Sequence, residues 1–152
     1  MRITAKADYA VRAAVELAAG GDPRPVKAEQ ISEAQGIPLN FLENILAELR
    51  RAGIVESRRG AAGGYLLARP AAEITVADVI RAVEGPLANV RGISPDALEY
   101  TGSAARLRDV WVALRANVRA VLEQVTLADI ASGDLPAHVV ELTQAEEAWV
   151  RR

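Results

Sequence analysis

Asn40, Glu43 and Asn44 stand close together in a stretch whose apolar positions recur at helical spacing. Side chains of these types read base edges, because an amide pairs with adenine and a carboxylate accepts from the amino group of cytosine. A little further along, Arg58 and Arg59 open the run RRGAAGG. An arginine on a thin, glycine-lined turn fits the minor groove of a duplex, where negative potential is focused. Arg50, Arg51, Arg58, Arg59 and Arg69 fall in one short stretch opposed only by Glu56, a local positive excess of the kind that faces phosphate. Each signal has a plainer counterpart. The Asn40-x-x-Glu43 spacing fits a helix capping box, which would commit those side chains to the helix's own amides, and a charge cluster also serves as a solvated face.

The remaining composition narrows the field. The 152 residues contain no cysteine and one histidine, His138. Disulfides, thiolate zinc sites, thiolate-held clusters and cysteine nucleophiles are excluded, so no metal and no cofactor is expected. No nucleophile and base stand together, so an enzyme is not expected either. The net charge of −2 hides an asymmetry, since residues 1–70 carry ten Lys and Arg against eight Asp and Glu, and residues 71–152 carry eight against twelve. The basic half is the one holding the candidate readers. Half the residues are apolar and few are aromatic, which favours helices packed from small and branched aliphatics. No apolar run is long enough to span a bilayer, and the opening residues lack a signal-peptide core, so a cytoplasmic location is expected.

The elements that would position these residues follow from periodicity. Thr4 to Ala19 predicts a first helix, stopped at Gly20 and Gly21, and Val26 to Ala34 predicts a second, closed near Gly36. A third begins near Pro38, taken as its first helical residue, and carries Phe41, Leu42, Ile45, Leu46 and Leu49 on one face until Gly53. Two short helices with a tight glycine turn make a helix-turn-helix. Ile54 to Arg58 and Tyr65 to Ala68, flanking the glycine-rich tip, predict a β-hairpin directly after it. The expected fold is therefore mainly α, a winged helix-turn-helix with a two-stranded β wing. Thr75 with Asp78 predicts a capped fourth helix that ends at Gly85-Pro86.

Residues 86–103 read as a loop, with one helical turn starting at Ser94-Pro95-Asp96. From Ala104 to about Val125 an apolar stripe runs through Leu107, Val110, Trp111, Leu114, Val118, Val121, Leu122 and Val125. This long helix is either an ordinary core helix or one that pairs with its copy across a two-fold axis. The winged unit leaves little surface to cover the stripe, and burying such side chains is worth roughly 1.5–3 kcal/mol each, which favours a homodimer. Thr126 with Asp129 predicts a short helix through Ala131; beyond Gly133, either Thr143 with Glu146 starts a last turn or two containing Trp149, or the tail is disordered. The expected organisation is a DNA-binding unit over 1–85, a linking or effector loop over 86–103, a dimerisation segment over 104–133 and a tail over 134–152. Arg91, Asp96, Glu99 and Tyr100 are the polar loop residues that would bind an effector.

The stretch ISEAQGIPLNFLENILAELRRAGIVESRRGAAGGYLLARP, with the opening MRITAKADYAVRA, resembles the bacterial winged-helix regulators that include IscR, NsrR and CymR. The resemblance is close over residues 1–85 and looser over the long helix and its TLADI continuation. It implies a two-fold dimer that binds operator DNA through the third helix and the wing. Asn40, Glu43 and Asn44 fall where the family reads bases, and Arg59 where it probes the minor groove. Lys27, Pro38, Leu39, Phe41, Arg50, Arg51, Arg58, Gly60, Gly63, Gly64 and Tyr65 complete the expected contact set. Cluster-binding members place three cysteines in the loop before the long helix, and this loop has none, which rejects iron–sulfur and nitric-oxide sensing. A small-molecule effector, a protein co-regulator or no effector at all remain. The expected function is repression by a DNA-bound homodimer. The alternative is a winged-helix protein-interaction adaptor that no longer binds DNA.

Overall fold

The computed structural model describes residues 1–21 and 23–152. Its first helix, α1 (Ala5–Ala19), starts where the Thr4 side chain accepts from the Ala7 amide. α1 is the centre of the molecule because its buried face is alanine. Ala10 and Ala14 enter one core cluster, Ala13 a second and Ala7 a third, so three sets of elements close on one helix without bulky side chains between them.

α2 (Ala28–Gln35) ends at Gly36, whose φ of 62° is the left-handed conformation that closes a helix cheaply. It starts two residues later than periodicity suggested, because Val26 is used differently. Val26 and Tyr65 exchange backbone hydrogen bonds of 2.8 Å in both directions, so Val26 acts as a third strand against the hairpin. α3 (Leu39–Arg51) buries Leu42, Ile45, Leu46 and Leu49. Pro38 precedes the helix as its cap instead of occupying its first turn. Phe41, expected on the buried face, is 58% exposed. It falls about 100° from Leu42 around the helix, outside the arc covered by α1 and α2.

The hairpin pairs β1 (Val55–Arg58) with β2 (Gly64–Leu67) antiparallel, Val55 opposite Leu67 and Arg58 opposite Gly64. α4 (Val76–Glu84) carries the expected reciprocal cap between Thr75 and Asp78, with bonds of 3.0 and 3.1 Å. The next segment contains two short 3-10 turns, Pro95–Ala97 and Gly102–Ala104. The first is the helical turn expected there.

α5 (Leu107–Leu122) is the longest helix, and none of its residues is fully buried. It is shorter than the apolar stripe at both ends. Ala104 belongs to the preceding turn, and Val125 lies beyond the helix, buried beside Ala77 and Ile80, with its carbonyl accepting from the Val76 amide at 2.9 Å. Val125 therefore packs the core and does not extend the stripe on the helix surface. α6 (Leu127–Ser132) begins at the expected Thr126 and Asp129 cap and sends Leu127 into the main cluster with Ala10, Ile45 and Val79. The core thus continues past residue 85, because α6 covers α1.

α7 (Ala137–Gln144) is a helix that the periodicity did not announce, ahead of the late turn expected around Trp149. Pro136 starts it, Val139 rests on the cluster beneath α5, and the Thr143 hydroxyl donates to the Val140 carbonyl instead of capping a new helix. A 3-10 turn, Glu146–Trp149, follows. No helix among the described residues is long and apolar enough to cross a membrane.

Candidate nucleic-acid interface

Burial of Leu42, Ile45, Leu46 and Leu49 fixes the rotation of α3, and the opposite face follows at 100° per residue. Asn40, Asn44 and Arg51 fall on that outward face, and all three are exposed. Glu43 turns toward the hairpin, where it shares a shallow recess with Lys27, Gly60, Gly63, Gly64 and Tyr65. Phe41 turns the other way, bordering a recess with Lys6, Tyr9, Asn44 and Arg51. Leu39 is half-buried against the α2 and α3 cluster, so it supports the first turn of α3 and is less available than its neighbours. The capping alternative for Asn40 and Glu43 is not formed. Helix α3 begins one residue before Asn40, and neither side chain makes a hydrogen bond among the described residues.

The wing is held to the end of this helix and to the segment that precedes α2. The guanidinium of Arg50 donates to the Ser57 hydroxyl at 3.1 Å, joining the end of α3 to β1. Tyr65 pairs with Val26 in front of α2. Gly64 lies so close to that segment that a Cβ there would sit 2.6 Å from the Val26 carbonyl, and one at Gly63 would sit 2.2 Å from the Arg58 carbonyl oxygen. Both positions therefore require glycine for space, not only for flexibility. At the tip, Arg58 is paired with Glu56 at 2.8 Å, whereas Arg59 is exposed and makes no ion pair or hydrogen bond among the described residues. The side chain of Lys27 is exposed beside the start of α2, and the Lys27 backbone amide donates to the Gln30 side chain at 3.0 Å. Lys6 is spent on Glu48 at 2.9 Å. The arrangement presents the Asn40 and Asn44 amides on the outward face of α3, the Glu43 carboxylate beside the glycines of the adjoining hairpin, the Phe41 ring on the far flank, and an unpaired guanidinium at the hairpin's tip.

The four loop residues expected to hold an effector do not converge. Arg91 sits in a left-handed turn with φ of 53° and is exposed, as is Glu99. Asp96 is bound by Arg115 of α5 at 2.6 Å, and the Tyr100 hydroxyl accepts from the Trp111 indole at 3.1 Å. The Ser94 hydroxyl and the Arg115 guanidinium hold the Asp96 carboxyl at a pKa of about 2, below its ordinary 3.8. An apolar groove of about 520 Å³ does lie beside α5, between Trp111, Leu114, Val118, Ile80 and Leu87, but none of the four lines it. Arg115 and Ser94 were missed from sequence. An arginine flanking an apolar stripe has no signature to separate it from a solvated one.

A helix-turn-helix with a wing fastened to its second helix is the architecture of winged transcriptional regulators. The chain belongs to the Rrf2 family, described as iron-dependent transcriptional regulators, which matches residues 3–133. A protein of Mycobacterium tuberculosis named as an HTH-type transcriptional regulator is 54% identical over 142 residues, covering 93% of this chain and 88% of that one. CymR of Bacillus subtilis is 36% identical over 132 residues, covering 87% of this chain and 91% of that one. Among solved structures, B. subtilis CymR, the global cysteine regulator, superposes with a TM-score of 0.75 at 34% identity, covering 88% of this chain and 98% of that one. T. potens IscR gives 0.70 at 34% identity, covering all of this chain and 93% of that one. The fold expected from the sequence is thus the fold observed, and the family is one of regulators, not enzymes.

The family description implies iron, but the residues present do not fit it. The chain has no cysteine, and no group of three His, Asp or Glu able to hold a metal occurs among the described residues. The lone imidazole has its Nε2 3.0 Å from the Ala120 carbonyl.

Proposed function

We propose that this chain is a sequence-specific DNA-binding repressor that acts in the cytoplasm as a homodimer. The observation that carries the reading is the joining of α3 to the wing: Glu43 shares a recess with Gly60, Gly63 and Gly64, Arg50 bonds Ser57, and Asn40, Asn44 and unpaired Arg59 are exposed. In this reading Asn40, Asn44 and Glu43 meet base edges in the major groove, Phe41 lies against a thymine methyl, and Arg59 enters the adjoining minor groove. Lys27, Arg51 and the glycine tip approach phosphates.

The homodimer is supported by α5. A helix of 16 residues with no fully buried side chain, and with Val110 55% exposed, leaves the stripe of Leu107, Val110, Leu114 and Val121 only partly covered. Pairing with a second copy would cover it and set two α3 helices in successive major grooves of a palindrome, about 34 Å apart. Residues 1–85, closed by α6, then form the reading head, 86–103 its link to the pairing helix, α5 the pairing region and 134–152 a tail. The bound pair represses by blocking polymerase.

The test is selection of duplex fragments from genomic DNA by the purified chain, followed by sequencing. Recovery of one palindromic motif is the expected result. Recovery of no duplex above background would leave the winged fold to a protein-binding role.

A further inference from the structure

We propose that the angle between the DNA-binding head and the long helix is set in this chain by a metal-free polar lock, in which Arg115 holds Asp96 and Ser94, so that DNA binding is independent of iron. The inference rests on the reading of α3 and the wing as the DNA surface and of α5 as the pairing helix.

α5 is held differently along its length. Its C-terminal end is fastened directly to the head: Val118 and Leu122 pack on Ala7, Ile80 and Val125, and Glu123 pairs with Arg81 of α4. Toward its middle, Trp111 and Leu114 join no core cluster and line the open apolar groove that continues along Val118 and Leu122, and Trp111 and Arg115 are tied to the loop. Arg115 donates to Asp96 at 2.6 Å and to the Ser94 hydroxyl at 2.8 Å, Ser94 donates to Asp96, and Trp111 donates to Tyr100. The loop is itself anchored, with Pro95 and Leu98 buried and Asn89 closing its turn through Pro86 and Gly92. These bonds span 86–100.

The side chain of Arg115 is only 15% exposed. A guanidinium taken that far from water needs its hydrogen-bond partners, and removing them leaves a poorly solvated charge that is relieved by moving the helix or the loop. Arg115 is thus a positioning residue, acting on DNA through the tilt of α5. Two heads joined through α5 meet a palindrome correctly at one spacing, so a loosened tilt widens the range of spacings accepted and weakens the best one. The iron-dependence of the family has no donor set here, and the polar lock supplies the fixed geometry in its place.

The experiment uses the full chain and the palindrome it selects, with anisotropy titrations on that duplex and on duplexes with one base pair added or removed at the centre. Arg115→Met and the double variant Asp96→Asn, Ser94→Ala are compared with the parent. The expected result is at least a fivefold weaker affinity for the parental spacing, within the range of ordinary coupling between sites, together with a flattened preference among the three spacings. Combining all three substitutions should cost no more than Arg115→Met alone, because the residues act as one unit. Should Arg115→Met fail to fold, the double variant carries the test, as Asp96 and Ser94 are exposed. A loss of stability alone would not change spacing preference, so parental preference in the folded variants overturns the lock. Anaerobic incubation of the parent with ferrous iron and sulfide, then desalting, should leave no bound iron and unchanged affinity; retained iron with altered affinity overturns the iron-independence. A parent that binds no duplex removes the DNA reading and this inference with it, whereas a parent that binds while both variants match it removes the inference alone.

Discussion

Arg58 and Arg59 are neighbours of the same type with different prospects. Arg58 has a carboxylate at 2.8 Å and would have to leave it to reach DNA, whereas Arg59 has none among the described residues. Arg59→Ala should therefore cost operator binding about 1–3 kcal/mol, and Arg58→Ala distinctly less, in a direct titration at fixed salt. Equal affinities for parent and Arg59→Ala would remove the wing from the DNA surface. Asp96 gives a second prediction at this scale. Its folded pKa of about 2 lies below the unfolded 3.8, so its contribution to stability is present above 3.8 and is lost as pH falls toward 2. Urea unfolding midpoints of the parent and Asp96→Asn should differ at pH 5 to 7 and converge as the pH is lowered through that window. A difference that persists unchanged at pH 2 would show that the charge is not what Arg115 holds.

The wing depends on backbone contact more than on its side chains. Because a Cβ on Gly64 would meet the Val26 carbonyl at 2.6 Å, Gly64→Ala must either push β2 away from Val26 or shift the start of α2. Loss of the two 2.8 Å bonds between Val26 and Tyr65 is the expected consequence. The cost should be about 1–3 kcal/mol of stability, as for overpacking elsewhere. It would be read in thermal unfolding and in faster hydrogen exchange at the Val26 and Tyr65 amides. Gly60, whose Cβ would meet nothing within 4 Å, is the control for crowding, although its φ of 99° still carries backbone strain. If Gly64→Ala left both amides protected, the third-strand contact would not be what seats the wing.

For the molecule as a whole, the question is what covers α5. Val110 is 55% exposed and belongs to none of the core clusters, so Val110→Asp should leave the head folded while disfavouring a covered stripe. Sedimentation is expected to show a dimer for the parent and a monomer for the variant, with operator affinity falling with it because two half-sites are no longer gripped together. A parent that sediments as a monomer would instead make α5 a partly exposed helix of a single chain. Affinity should fall steeply with salt, since the cationic surface near the wing displaces counterions from phosphate.

Much was legible from sequence because the signals are local. The Thr75 and Thr126 caps, the Gly36 stop, the helix-turn-helix and the glycine hairpin each depend on residues a few positions apart, and backbone hydrogen bonding enforces those rules wherever they occur. Tertiary packing decided what periodicity leaves open. A 3.6-residue repeat says that Phe41 and Leu42 lie on neighbouring faces, but the placement of α1 and α2 left Phe41 in water. Val125 continues the stripe in sequence, yet the chain turns before it and buries it under α4. Asp96 and Tyr100 looked like partners of a ligand until Arg115 and Trp111 came within reach of them from another element. Which groups meet across the fold depends on helices closing around the alanines of α1, an arrangement set by mutual burial between residues that no local spacing relates.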